Sequence, residues 1–208
     1  MTPLPIQGLY ALTDSLLSTP GNLISAVECA IRGGAAIIQY RDKGTDHKRR
    51  QEEAQALLTL CRFHKVPLII NDDVELAKVV GADGVHLGKH DLPPSLTREY
   101  LGKESIIGVS CYNSIENAER AQQDGADYVA FGRFYPSHTK PHAIHVTVEQ
   151  LQEFRRHIHL PIATIGGITP ENGASLITAG ADFLAVIHGI FGQPDIEMAA
   201  RKYVELFT

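Results

Sequence analysis

A short motif recurs along the chain and constrains its fold more than any other feature of the sequence. GADGVHLG begins at Gly81, GADYVAFG at Gly125 and GADFLAVIHG at Gly180, and a related segment, GGAAIIQYR, begins at Gly33. Each copy follows a helical pattern with a glycine, the residue that most readily adopts the left-handed conformation at a helix end. The apolar run that comes next lacks clean alternation, which is typical of parallel strands covered on both faces.

Eight such apolar runs can be counted, with helical patterns between them. The predicted strands are Leu9–Thr13, Ala36–Tyr40, Leu68–Asn71, Gly84–Leu87, Ile106–Val109, Tyr128–Phe131, Ile162–Ile165 and Phe183–Ile187. The predicted helices are Asn22–Arg32, His47–His64, Val74–Val80, Pro94–Leu101, Ser114–Asp124, Thr147–His157, Thr169–Ala179 and Asp195–Leu206. Alternating strands and helices define the α/β class. Eight repeats favour a single (β/α)8 TIM barrel, and an open doubly wound sheet is the competing architecture.

The length of the chain fits this fold closely. Dividing 208 residues among eight units leaves 26 for each, enough for a strand of about five residues, a helix of about eleven and two short loops. Such barrels typically have about 250 residues and rarely fewer than about 200. We therefore expect residues 1–208 to form one near-minimal barrel without a second domain.

Composition excludes several classes of partner. The chain has 19 Lys and Arg against 24 Asp and Glu, a net charge of −5, whereas nucleic-acid-binding proteins are usually basic. No apolar run approaches the ~20 residues of a membrane span, and the start, MTPLPIQG, shows no signal peptide. Three scattered cysteines suggest neither a disulfide framework nor a zinc site. We expect a cytoplasmic protein that binds small molecules, not nucleic acid or membranes, with the oligomeric state open and a homo-oligomer included.

Charged residues follow the predicted strands at the end where barrels place their active sites. The cations at this mouth would be Arg41, Lys43, Lys89, Arg133 and Lys140, and the carboxylates would be Asp72 and Asp91. Cations with two separate carboxylates suit a magnesium-bound diphosphate, because Mg²⁺ is usually held by one or two carboxylates and by substrate phosphates. Glycine-rich turns after the seventh and eighth strands expose backbone N–H groups of the kind that bind a phosphate monoester.

Simpler interpretations stay open for individual residues. A lone lysine or arginine in a loop is more often a solvated surface charge. Asp73 could begin a helix as its N-cap instead of binding an ion. His86 could simply pack or form hydrogen bonds, and the group His138, His142 and His145 lacks the further ligands and spacing of a zinc site.

Several motifs in order make the sequence resemble the thiamine phosphate synthase family. They are QYRDK at Gln39–Lys43, PLIINDD at Pro67–Asp73, GADGVHLGKHDLP at Gly81–Pro93, IIGVS at Ile106–Ser110, SHTK at Ser137–Lys140 and IGGITPEN at Ile165–Asn172. The resemblance covers nearly the whole chain, from GLYALTD at Gly8–Asp14 to AVIHGIF at Ala185–Phe191.

The resemblance implies a barrel that joins an aminopyrimidine diphosphate to a thiazole phosphate, releasing thiamine phosphate and pyrophosphate with the help of Mg²⁺. The pyrimidine CH2–O bond would ionise, and the thiazole nitrogen would capture the cation. Asp72 and Asp91 would bind Mg²⁺; Arg41, Lys43, Asn71, Ser110 and Lys140 would hold the pyrophosphate; Gln39 would contact the pyrimidine; and Ser137, Thr139, Gly167, Ile187 and His188 would hold the thiazole phosphate. Arg41, Lys43, Ser110 and Lys140 are the expected catalytic residues, because the departing pyrophosphate needs charge stabilisation.

Departures from the family pattern keep alternatives open. Lys89 stands where the family usually has Gln, Arg133 where it has Pro, and His188 where it has Ser. These changes leave room for a non-catalytic homologue that binds thiamine precursors or has a regulatory role. The related thiazole tautomerase is a further alternative, although Tyr112 occupies the position expected for its catalytic histidine. Another phosphate-binding isomerase would need a facing acid–base pair, which the sequence does not show.

Overall fold

The computed structural model describes residues 1–17, 21–136 and 145–208, and it confirms the predicted order of strands and helices. The strands are β1 (Gly8–Leu12), β2 (Ile37–Tyr40), β3 (Leu68–Asn71), β4 (Gly84–Leu87), β5 (Ile106–Tyr112), β6 (Tyr128–Gly132), β7 (Ile162–Ile165) and β8 (Phe183–Val186). The helices are α1 (Leu23–Arg32), α2 (His47–His64), α3 (Val74–Val80), α4 (Pro94–Leu101), α5 (Ile115–Gln123), α6 (Val148–His157), α7 (Pro170–Thr178), α8 (His188–Phe191) and α9 (Ile196–Val204). Strand β5 extends beyond its predicted end, and the short helix α8 was not predicted.

Side chains that accept backbone N–H groups fix the starts of several helices. Ser114 accepts the N–H of Asn117 at the start of α5, and Thr147 and Gln150 form the capping box that TVEQ predicts for α6. Each cap satisfies N–H groups that have no partner inside the helix. Within the described ranges, no helix combines the length and the apolar character needed to cross a membrane.

Eight parallel strands close into a barrel in sequence order, with β8 paired to β1. This closed sheet confirms the (β/α)8 TIM barrel and excludes the open doubly wound sheet. Side chains alternate along each strand: on β1, Leu9 and Ala11 pack against the helices, and Tyr10 and Leu12 point into the barrel. The inward positions of β2 to β5 carry polar residues near the carboxyl ends of the strands, and these residues form the floor of the mouth.

The aspartate of the repeated GAD motif links neighbouring strands at the base of the barrel. Asp127, before β6, accepts the N–H of Ile107 on β5 at 2.6 Å, and Asp182, before β8, accepts the N–H of Ile162 on β7 at 2.7 Å. Asp83, before β4, accepts the N–H of Leu68 on β3 at 3.0 Å. The repeat thus has a structural role at the end opposite the mouth.

Each of these carboxylates contacts a second group, and that group differs from one copy of the motif to the next. Arg98 contacts Asp127 at 2.7 Å and Arg155 contacts Asp182 at 3.1 Å. The partner of Asp83 is instead the backbone N–H of Thr2 at 2.7 Å. The related copy before β2 has Ala36 in place of the aspartate, so this base contact occurs at β4, β6 and β8.

Candidate active site

A cavity of about 410 Å³ opens at the carboxyl ends of the strands. Seven residues proposed from the sequence line it: Gln39, Arg41, Asn71, Ser110, Gly167, Ile187 and His188. Lys43, Asp72 and Asp91 lie in the loops that follow β2, β3 and β4. The closed barrel brings these residues together because parallel strands all end at the same mouth.

A continuous chain of hydrogen bonds crosses the floor of this cavity. The Gln39 amide Nε2–H donates to the Tyr10 hydroxyl at 2.7 Å, and the hydroxyls of Tyr10 and Tyr128 are 2.7 Å apart. His86 joins Tyr128 through Nδ1 at 2.9 Å and Ser110 through Nε2 at 2.8 Å. Burial raises the pKa of both phenols above the ordinary value, so both stay protonated at neutral pH. Both ring nitrogens of His86 therefore form hydrogen bonds, as one of the interpretations of this residue expects.

Gly108 makes room for this chain. His86 on β4, Gly108 on β5 and Tyr128 on β6 occupy one level of the barrel, as the strand register shows. A Cβ atom at Gly108 would overlap the Tyr128 ring and hydroxyl. Because this position carries no side chain, His86 and Tyr128 meet across β5, with their rings stacked at a centroid distance of 5.6 Å.

The loop after β2 is held from its outer side. Asp42 of the QYRDK motif accepts the N–H of Gly44 at 2.6 Å and pairs with Arg49 on α2 at 2.8 Å. Burial alone would raise the pKa of the Asp42 carboxyl, but the bonds from Arg49 and Gly44 lower it below its ordinary value. Asp42 thus points away from the cavity, and its neighbours Arg41 and Lys43 are available to the mouth of the barrel. Arg41 in turn pairs with Asp14 at 2.9 Å.

Two carboxylates converge beside Gly88. A Cβ atom built on Gly88 would lie 3.3 Å from Asp91 Oδ2 and 3.4 Å from Asp72 Oδ1, so both oxygens face the same small volume. The Gly88 N–H donates to Asp91 Oδ2 at 2.6 Å. Burial first and the charge of Asp91 second raise the pKa of Asp72, whereas the charge of Lys43 lowers it. The two carboxylates repel each other, and a cation between them would relieve that repulsion.

Asp72 also has an unusual backbone. Its φ of 63° lies in the left-handed region, and the N–H of Asp73 donates to the carbonyl of Asn71 at 2.7 Å across it. This three-residue hydrogen bond with a positive central φ is the pattern of a strained γ-turn. Strain in a residue without a glycine's freedom is concentrated at functional positions, and here it turns the Asp72 carboxylate toward Asp91.

Asp73 has a structural role as the N-cap of α3. Its Oδ1 accepts the N–H of Leu76 at 2.9 Å as the N-cap of α3, and its Oδ2 pairs with Arg50 at 2.9 Å. Both oxygens are therefore engaged away from Asp72 and Asp91. Groups of three or more Asp, Glu, His or Cys that could hold a metal were not found within residues 1–17, 21–136 and 145–208.

The opposite side of the cavity is formed by the turns after β7 and β8. Gly167 has φ 63°, and a Cβ atom there would collide with Pro136 and Tyr135, so the turn packs directly against the loop after β6. Ile187 and His188 begin the short helix α8 and line the cavity, as does Arg133. Arg133 and His188, two departures from the family pattern, thus lie on this same side. Lys89, the third, is exposed.

Three predicted site residues, Ser137, Thr139 and Lys140, lie outside the described residues, as do His138 and His142. Conversely, Tyr10 and Tyr112 line the cavity, and Tyr128 is joined to it through its hydrogen bond with Tyr10, although none of the three is a predicted site residue. Tyr10 and Tyr128 lie within the apolar runs that predict β1 and β6. A signal for them was available, since the alternation of β1 and β6 points both side chains into the barrel.

Comparisons with known proteins agree with this architecture. A family model described as thiamine monophosphate synthase matches residues 9–190. The thiamine-phosphate synthase of Nitrosococcus oceani is 50% identical over 202 residues, covering 97% of this chain and 93% of that protein. That of Acidithiobacillus ferrooxidans is 50% identical over 206 residues, covering 98% and 95%. The structure of thiamine phosphate pyrophosphorylase from Pyrococcus furiosus is 32% identical and superposes with a TM-score of 0.87, covering 96% of this chain and 95% of the other.

Proposed function

The chain belongs to the thiamine monophosphate synthase family, and from this membership we propose how its residues carry out the reaction. The chain is a transferase of thiamine biosynthesis. It condenses 4-amino-2-methyl-5-(diphosphomethyl)pyrimidine with 4-methyl-5-(2-phosphoethyl)thiazole. The pyrimidine CH2–O bond breaks with its electron pair leaving on pyrophosphate, and the thiazole nitrogen forms the new C–N bond. We place this reaction in a single catalytic domain, residues 1–208, and in the cytoplasm.

Asp72 and Asp91 fit a Mg²⁺ ion. Their oxygens face one volume beside Gly88, and their mutual repulsion is relieved by a divalent cation. A site with two carboxylates leaves the remaining positions for water and substrate phosphates, which is the usual arrangement for Mg²⁺. When bound, Mg²⁺ would supply positive charge to the pyrophosphate oxygens.

The chain's own residues supply the remaining contacts to the diphosphate substrate. Arg41, Lys43 and Lys140 would carry the negative charge that develops on pyrophosphate, and Asn71 and Ser110 would donate hydrogen bonds to it. Gln39 Oε1 is buried without a hydrogen-bond partner among the described residues. Because an unpaired buried acceptor is costly, this oxygen suits a donor on the pyrimidine.

The thiazole phosphate would bind on the other side of the cavity. The backbone at Gly167 and at Ile187 and His188 offers N–H groups there, and Ser137 and Thr139 would add hydroxyls. Holding both reactants in one cavity removes much of the entropic barrier to their reaction. A strong general base is not needed, because the electron pair of the thiazole nitrogen is available without loss of a proton.

The observation that carries this proposal is the convergence of Asp72 and Asp91 at the mouth above Gln39 and Ser110. The test mixes both phosphorylated precursors with the protein and follows thiamine phosphate and pyrophosphate, with Mg²⁺ or with EDTA. We expect product only with Mg²⁺. No product in the presence of Mg²⁺ would refute the function.

Two neighbouring carboxylates provide a matched pair of variants for the same assay. Asp72→Asn removes a proposed metal ligand and should lower turnover by about 100-fold or more. Asp73→Asn changes the adjacent residue in the same way, but asparagine is an equally good N-cap, so turnover should stay near that of the wild type. Equal losses in the two variants would show that the metal site is misplaced.

A further inference from the structure

The hydrogen-bond chain on the cavity floor has two ends, and the residues at both ends line the cavity. One end is Gln39, which is 2% exposed and whose Oε1 has no partner among the described residues. The other end is Ser110, whose hydroxyl contacts His86 and lines the cavity. Between them lie Tyr10, Tyr128 and His86, which are 1%, 0% and 8% exposed.

Counting donors and acceptors gives this chain one direction. The amide nitrogen of Gln39 can only donate, so the Tyr10 oxygen accepts from it. The proton of Tyr10 then has one acceptor within reach in the described part of the chain, the Tyr128 oxygen. The opposite direction would give the Tyr10 oxygen two donors and leave its own proton buried without an acceptor, which is costly.

The same count continues to the other end. Since Tyr128 accepts from Tyr10, it donates its own proton to Nδ1 of His86. Nδ1 is then the unprotonated nitrogen of the neutral ring, and Nε2 carries the proton that is donated to Ser110 Oγ. The Ser110 hydroxyl, having accepted, keeps its own proton for a group in the cavity.

We propose that Tyr10, Tyr128 and His86 are positioning residues that present Gln39 Oε1 as a hydrogen-bond acceptor and Ser110 Oγ as a hydrogen-bond donor to the diphosphate substrate. This inference rests on the proposed function and deepens it. The substrate has matching groups, because the aminopyrimidine ring offers N–H donors and the diphosphate offers anionic oxygens. If the hydrogen bonds ran in the opposite direction, Ser110 would donate its proton to His86. It would then have no proton to donate to the diphosphate.

The arrangement of the fold supports this role over simple core packing. Polar groups at four inward positions of β1, β2, β4 and β6 are an expensive way to fill a barrel. The missing side chain of Gly108 is what allows His86 and Tyr128 to meet. An apolar set of residues would fill the same space without any need for hydrogen-bond partners.

The first test reads the tautomer of His86 directly and does not depend on activity. Long-range ¹H–¹⁵N NMR of the ¹⁵N-labelled protein distinguishes protonated from unprotonated ring nitrogens, and a spectrum of His86→Gln identifies the His86 signals. We expect the Nε2–H tautomer. Protonation on Nδ1 would overturn the proposal whatever the protein catalyses.

The second test measures steady-state kinetics for each substrate. Tyr128→Phe keeps the ring and removes the hydroxyl, and we expect a fall of about 10- to 100-fold in kcat/KM for the pyrimidine diphosphate, with KM for the thiazole phosphate unchanged. Tyr203→Phe is the matched control, because it removes another buried hydroxyl. That hydroxyl donates to the carbonyl of Ile168 at 3.0 Å and does not belong to the hydrogen-bond chain on the cavity floor. In this variant kcat/KM for the pyrimidine diphosphate should not change. Equal kinetics in the two variants would refute the positioning role.

A pair of substitutions at His86 tests the donor to Ser110. Glutamine can place an N–H near the position of Nε2, and leucine cannot, so His86→Gln should retain at least several-fold more activity than His86→Leu. Equal activity in both would contradict the proposal. If the wild type makes no thiamine phosphate at all, the proposed function fails, and the NMR result still decides the direction of the chain.

Discussion

Replacing Gly108 with alanine tests the central packing relation of the site. The new methyl group would lie in the space of the Tyr128 ring, far inside the roughly 3.5 Å of an ordinary carbon–carbon contact. The ring has little room to retreat, since it stacks on His86 and meets Tyr10 and Phe183 edge-on at centroid distances of 5.9 and 6.4 Å. The backbone or the ring must therefore shift.

The size of the effect follows from two costs. Overpacking of a well-packed core costs about 1–3 kcal/mol. A ring shift of about 1 Å would also lengthen the 2.7 and 2.9 Å bonds that Tyr128 makes with Tyr10 and His86, and each buried group left unsatisfied costs about 1–3 kcal/mol. With one group left unsatisfied, we expect Gly108→Ala to lower the free energy of unfolding by about 2–6 kcal/mol.

Urea unfolding followed by circular dichroism measures this loss. Gly173→Ala is the control. Its methyl group would come within 3 Å only of the terminal side-chain atoms of Leu184 and Leu206, both at 2.9 Å, and alanine favours the helix. The stability of this variant should differ from the wild type by less than about 1 kcal/mol. Adding Tyr128→Leu to Gly108→Ala should recover part of the loss by removing the ring. A loss below about 1 kcal/mol for Gly108→Ala, or no coupling between the two substitutions, would refute this reasoning.

Three further predictions concern other parts of the barrel. Asp42→Asn should raise KM for the pyrimidine diphosphate about tenfold and weaken inhibition by inorganic pyrophosphate equally, because the Arg41 loop loses a charged anchor; an equal rise in KM for the thiazole phosphate would contradict this. Asp182→Ala should lower stability by about 2–3 kcal/mol in urea unfolding, because the N–H of Ile162 loses a carboxylate acceptor, and a change below about 0.5 kcal/mol would contradict the base contact. The pKa of Asp72 is raised in the folded protein, so the unfolded chain releases this proton more readily and stability falls as the pH rises. Because asparagine carries no charge, Asp72→Asn should raise the Tm of the protein in EDTA more at pH 8 than at pH 4.5. An equal or opposite shift in calorimetry would contradict this prediction.

Much of the fold was predictable because parallel strands covered on both faces leave long apolar runs in the sequence. The runs at Leu68–Asn71 and Gly84–Leu87 coincide with β3 and β4. The end of β5 was missed because Ser110 interrupts the apolar run while its backbone continues to pair with β6. Helix α8 was missed because its four residues are too few for a helical period to show.

The candidate site was predictable to the extent that it follows the ends of strands. The motifs indicate that Asp72 and Asp91 meet at one mouth, but the sequence leaves open whether Asp73 binds an ion or caps a helix. In the structure Asp73, unlike Asp72, turns away from the mouth to cap α3 and pair with Arg50. That difference arises from the positive φ of Asp72. The alternation of β6 indicates that Tyr128 points into the barrel, but that pattern does not identify its hydrogen-bond partners, Tyr10 and His86, on other strands.

The base aspartates, Asp83, Asp127 and Asp182, give the two ends of the barrel different tolerance to substitution. A parallel strand that slipped by one residue would turn its side chains to the opposite face, and it would also carry the N–H of Ile107 or Ile162 away from its carboxylate. The GAD repeat thereby encodes strand register at the end remote from the ligands. Residues at the mouth, such as Arg133 and His188, take no part in these contacts. Substitutions there can therefore change the chemistry of the site without changing the strand register that the base aspartates fix.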